Sequence, residues 1–213
     1  MVSDELRRYV MGSSMQTGLL LVLGTIVSFV GWFGFYPDDG QTGAVERAQA
    51  IMADASTAKV GILLGYGGML AVFIGVLNIT RSMAMAGGAG SFYGNVATVL
   101  GMAMVAGLVM NLGLEYGIAE ATSAAGGVTL AGVSLAMEGA FQLAMGVLVL
   151  MLGAGIALAK NFHVGAAALA VIAGGILLLG SFVDADTLGF AGWIGFMLTN
   201  LVLGGLSIRA KSA

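Results

Sequence analysis

The chain has no cysteine, one proline (Pro37), one histidine (His163), and only 9% of its 213 residues are charged. Each scarcity excludes something. Without cysteine there are no disulfides, no thiolate metal sites and no cysteine nucleophile. His163 alone has no second histidine to complete a haem pair or a multi-histidine metal centre. A soluble domain carries about 25% charged residues, so this chain has too few to cover a water-facing surface. A net charge of −3 and a pI near 4.9 argue against nucleic acid as a partner.

Apolar residues are what the chain has in excess: 59% are hydrophobic and the mean hydropathy is +1.00. This composition predicts an integral membrane protein. A spanning helix needs about 20 residues at 1.5 Å each, and long runs without period-two alternation exclude a barrel. Six spans are expected, at 15–36, 59–80, 94–114, 132–159, 164–183 and 187–208. The expected fold is an all-α, six-helix polytopic bundle forming one domain over residues 1–213. With the N-terminus inside, Arg7, Arg8, Arg81, Lys160, Arg209 and Lys211 fall on the inner side, and only Arg47 and Lys59 fall outside. Lys/Arg bias in short loops sets orientation, which predicts both termini in the cytoplasm and the protein in the cell membrane.

The connections carry their own signals. Arg7-Arg8 precede a run with no small-residue cleavage site, so the first span is expected to be retained. Pro37 sits just beyond that span, where it stops a helix without breaking one. In the outer loop from Asp38 to Ala58, Thr42 is a candidate cap, Glu46 lies in the first turn, and Val45, Ala48, Met52 and Ala55 form a weak apolar face. Two readings stand: a short helix lying on the outer membrane surface or over the bundle mouth, and a plain extension of the second span. Residues 81–93, with Gly87, Gly88 and Gly90, read as a mobile linker. Gly126-Gly127 read as a break before span four, and Asp184 and Asp186 as the turn of a tight hairpin.

Glycine makes up 36 residues, against a usual 7% or so. Small residues let helices approach closely in lipid. The pairs Gly61/Gly65, Ala103/Gly107, Ala140/Ala144 and Gly153/Ala157 each lie one turn apart, and Gly174-Gly175 and Gly189/Gly192/Gly195 add close-contact positions. The 14 methionines invite a copper reading, with Met83 and Met85 as the pair outside the core, yet most sit among Leu, Val and Ala as adaptable filler. Trp32, Tyr36, Tyr9, Phe92, Tyr93 and Trp193 read as interfacial anchors.

Glu138 is the intramembrane ionisable candidate, because a charge at the bilayer centre costs about 2.5–3.5 kcal/mol. Ser134, Glu138 and Gln142 are four apart and share a helix face, the pattern of a proton or cation site. The bland alternative places Glu138, about 20 residues before Lys160, near the outer interface. No Lys or Arg lies within a span as its counter-ion. Asn111 and Glu115 share a face one turn apart. With Glu138, Asp184 and Asp186 they outline an acidic outer vestibule favouring cations. Asn78, Asn95 and Asn200 are expected to hydrogen-bond between helices.

Phosphate loops, paired-histidine zinc motifs and nucleophile elbows are missing. No enzyme, cofactor or metal site is expected, although carboxylate-only membrane chemistry stays open. The layout combines Ala53-Asp54-Ala55-Ser56-Thr57-Ala58-Lys59-Val60-Gly61 with the cadence Gly146, Leu150, Gly153 and a basic turn at Lys160 and Phe162. Over about two thirds of the chain it resembles an uncharacterised family of six-span prokaryotic membrane proteins, a domain of unknown function. That resemblance implies fold and location and lends no catalytic residues. Two functions are carried forward. One is a non-enzymatic scaffold, accessory subunit or small-molecule-binding bundle, alone in the lipid bilayer, with a membrane-protein partner or as a homo-oligomer. The other is a secondary carrier or channel for protons or small cations, built on Glu138, Gln142, Ser134, Asn111 and Glu115.

Overall fold

A computed structural model describes residues 13–37 and 43–210. These residues form seven helices: α1 (Ser14–Gly34), α2 (Ala44–Ala53), α3 (Ala55–Ala86), α4 (Ser91–Ala119), α5 (Ala124–Ala159), α6 (Val164–Val183) and α7 (Thr187–Arg209). All but α2 are long and apolar enough to cross a membrane, as expected of a multi-pass membrane protein.

Local chemistry sets most of the helix starts. Ser13 and Gln16 form a reciprocal capping box at α1. Asp54 accepts from the Thr57 N–H (3.3 Å), Ser123 from Gly126 (3.2 Å), His163 Nδ1 from Gly165 (3.0 Å) and Asp184 from Thr187 (2.9 Å). The last pair, donated by backbone N–H, holds the exposed Asp184 carboxyl below its ordinary range. Pro37 lies just past the end of α1, as its chemistry requires.

Several boundaries differ from expectation. The 81–93 linker contracts to a turn at 87–90, where Gly87 and Gly88 take left-handed φ of 72° and 81° that glycine adopts without penalty. α5 begins at Ala124, so Gly126 and Gly127 lie inside its first turns. The reason is packing: Gly127 lies under Met52 and Ala48 of α2, where a side chain would collide with the Met52 sulfur. Residues 44–53 are a separate helix, since the chain breaks direction at Asp54 (φ −133°, ψ 65°). Its cap is Gly43, without a side-chain bond, and Thr42 lies outside the described residues, as do Arg7, Arg8, Tyr9, Asp38, Asp39 and Lys211. The buried face of α2 is Arg47, Ala48 and Ile51, whereas Val45, assigned to that face from its spacing, is 46% exposed.

The six long helices close a ring. Each packs on its neighbour in chain order, and α7 returns to α1. Ser14 Oγ reaches the Ala210 carbonyl (3.4 Å), so both ends of the described chain meet at one end of the ring. At the opposite end α2 lies over α5 and touches α4 and α3. Bare backbone forms several seams: Gly31 against Gly65, Gly24 and Gly68 across α1 and α3, Gly18 against Gly204 across α1 and α7, and Gly180 against Gly189 across α6 and α7. Gly153 and Gly174 do the same between α5 and α6. Ala103 and Ala140 face outward instead, because a one-turn spacing marks a face without saying which way it points. Met83, read as lying outside the core, is buried, and Met85 is exposed.

A Cβ at Gly31 would sit 2.2 Å from the Gly65 nitrogen, whereas one at Gly67 meets nothing within 4 Å. Overpacking costs about 1–3 kcal/mol, and alanine is the better helix former. Gly31→Ala is therefore expected to lower the thermal midpoint in detergent, followed by helical circular dichroism. Gly67→Ala is expected to leave it unchanged or raise it.

Candidate functional site

At the α2 end of the ring lies a cavity of about 470 Å³. Every helix contributes to its wall. Tyr66, Met69 and Phe73 come from α3, Met104, Leu108 and Asn111 from α4, and Glu138, Phe141, Gln142 and Met145 from α5. Each set follows three- and four-residue steps, so each is one helix face, two turns or about 10 Å deep. Trp32, Phe33 and Tyr36 enter from α1 and the turn after it, Leu177 from α6, and Gly189, Phe190 and Trp193 from α7. Asp186 and Phe190 form an exposed part of the rim. At depth Phe73 stacks on the fully buried Phe196, ring centroids 5.6 Å apart.

One cavity wall is charged. Glu115 is completely buried, although Glu138 is the acid that span position singles out. Tyr36 Oη donates to Glu115 Oε2 at 2.5 Å, and Ser134 Oγ to Glu115 Oε1 at 2.5 Å. Arg47, only 7% exposed, places Nε 3.5 Å from Glu115 Oε1 and donates from it to Tyr36 Oη (3.2 Å). Its Nη1 lies 2.5 Å from Glu138 Oε1. Ser134 Oγ is also 2.9 Å from Asn111 Oδ1, and Asn111 Nδ2 donates to Tyr66 Oη at 2.8 Å. Burial and the Glu115 carboxylate push the Tyr36 phenol well above its ordinary range, which keeps it a donor. Burial disfavours the charged form of Arg47, but Glu115, Tyr36 and Glu138 outweigh it and hold the guanidinium protonated.

Three of the five candidate residues, Asn111, Glu115 and Ser134, are directly joined. Glu138 joins them through Arg47 rather than through its helix neighbours, and its side chain is 43% exposed beside the cavity. A counter-ion does exist, supplied by α2 instead of a span. Gln142 borders the cavity but donates to the Leu177 carbonyl (3.4 Å). Asp184 accepts from the first residue of α7 and does not line the cavity, whereas Glu138 and Asp186 do. Arg47 offsets part of this acidic charge, and the rest of the wall is largely aromatic. Of the remaining asparagines, Asn78 bonds between helices, to Thr17 (3.2 Å). Asn200 bonds within its own helix, to Phe196, and Asn95 is exposed.

Spacing alone did not single out Arg47, Tyr36 and Tyr66. The usable signal for Arg47 was its position beside Ala48 and one turn before Ile51, an arginine on an apolar face. Tyr36 and the tryptophans turn inward: Tyr36 is 8% exposed, and Trp32 lies edge-on between Tyr36 and Tyr66, 4.9 Å from each. No protein family, curated protein or solved structure matches the chain.

Removing one member of a buried ion pair costs about 3–5 kcal/mol, because the other charge is left uncompensated. Arg47→Met and Glu115→Gln are each expected to destabilise strongly. The double variant should lose clearly less than the sum, as measured by a thermal double-mutant cycle in detergent.

Proposed function

We propose that this is a non-enzymatic, multi-pass protein of the cell membrane, with both termini cytoplasmic, whose ring of helices binds a small molecule. The observation that carries the reading is the 470 Å³ cavity to which every helix contributes. Its size and make-up, mostly aromatic and apolar with a few convergent polar groups, are those of ligand pockets. The orientation rests on the basic residues: Arg81, Lys160 and Arg209 lie at the end opposite α2. Arg47 and Lys59 lie at the α2 end, each paired with an acid.

Both tryptophans of the chain line the cavity, so their fluorescence reports its occupancy. A cavity-binding compound is expected to change that emission saturably, and Met145→Phe, which fills space, should weaken the response about tenfold. An emission that never saturates, or one indifferent to Met145→Phe, would remove the binding reading.

A second reading, the proton or cation carrier, is favoured by one observation: Glu138 borders the cavity and is partly exposed. In proteoliposomes that reading requires flux above empty vesicles that Glu138→Gln abolishes. The binding reading expects neither.

A further inference from the structure

Resting on the binding reading above, we infer that the cavity selects a flat, neutral, lipid-soluble carbonyl compound of the quinone type, whose carbonyl oxygen accepts from the Arg47 guanidinium. Three features of the wall lead there.

The first is the shape and softness of the apolar part. Trp32, Trp193, Phe141 and Phe190 face the space together with Met69, Met104 and Met145. Aromatic rings prefer offset or edge contacts with another ring, and thioethers add favourable sulfur–aromatic contacts. A planar ring system fits such walls better than a branched or chain-like body.

The second is unused donor capacity. A guanidinium offers five N–H groups and no acceptor. Arg47 directs Nε at Tyr36 and Glu115, and Nη1 lies against Glu138. Nη1 is itself buried and makes no hydrogen bond among the described residues despite that ion-pair contact, and Arg47 lines the cavity. A buried donor left unsatisfied is costly, and a ligand acceptor oxygen removes that cost.

The third is charge. Arg47 is the one basic residue among those lining the cavity, and the acids Glu138 and Asp186 line it too, with Glu115 directly behind. An anionic ligand would meet three carboxylates. A cationic one would approach the guanidinium that holds two of them together. A neutral acceptor satisfies Arg47 without disturbing the pairs.

The test uses the full-length protein in detergent and four flat probes of similar size. These are menadione (a naphthoquinone), 2-methylnaphthalene (the same ring system without carbonyls), 2-naphthoate (an anion) and N-methylquinolinium (a cation). Saturable tryptophan quenching and ligand-induced thermal stabilisation are read for each. Menadione is expected to bind at least tenfold more tightly than each of the other three. Equal affinity for menadione and 2-methylnaphthalene would overturn carbonyl recognition while leaving the cavity a binding site. Tighter binding of the naphthoate or the quinolinium would overturn the choice of a neutral ligand. If none of the four binds, the carbonyl inference falls. If other apolar compounds also give no saturable signal, the binding reading falls with it. Because these comparisons are made on the unaltered chain, they stand even if Arg47→Met fails to fold. Where that variant does fold, it should bring menadione down to the affinity of 2-methylnaphthalene.

Discussion

A fully buried carboxylate must be compensated, and that requirement organises one end of this molecule. Taking a carboxylate out of water costs several kcal/mol unless opposite charge and hydrogen bonds replace the lost hydration. Glu115 receives both, from Tyr36, Ser134 and Arg47. Those three groups come from the turn after α1, from α5 and from α2. A single charge therefore ties three separate stretches of chain to α4. The short helix α2 is held over the ring by this demand as well as by Ala48 and Ile51, which alone offer little apolar area.

The same network helps to hold the cavity open at this end of the ring. Along most seams glycine lets backbone touch backbone, as at Gly31 and Gly65 or Gly180 and Gly189. In lipid such close contact is what holds helices together. Beside these glycines, Trp32, Tyr66, Phe141 and Trp193 turn toward the cavity. Large rings hold the helices apart, and the polar wall keeps them from collapsing onto one another. The cavity is the space between these two kinds of packing.

Much of the fold is legible in the sequence. Spans five and six, predicted at 164–183 and 187–208, appear as Val164–Val183 and Thr187–Arg209. Hydrophobic length and the acidic turn at Asp184 and Asp186 suffice to place them. The three central helices run past their predicted ends, because polar or glycine-containing turns such as 55–58 and 124–131 extend beyond the apolar core of each span. The site was legible in part. Asn111, Glu115 and Ser134 were candidates and do meet. Of the acids grouped with them, Glu138 and Asp186 border the cavity and Asp184 does not. The cation that pairs with Glu115 and Glu138, Arg47, was missed because it lies 68 residues from Glu115 in the chain and outside every span.

Composition and hydrophobic length by themselves determined that six long apolar helices form and which few polar residues they carry. These follow from local rules: a backbone without water must bond within its own helix, and charges stay at the ends. The tertiary structure alone decided which carboxylate is buried, which tryptophans turn inward, and that α2 inserts an arginine. Those outcomes depend on how each helix is rotated about its axis, and rotation is set by contacts between helices that no single segment contains.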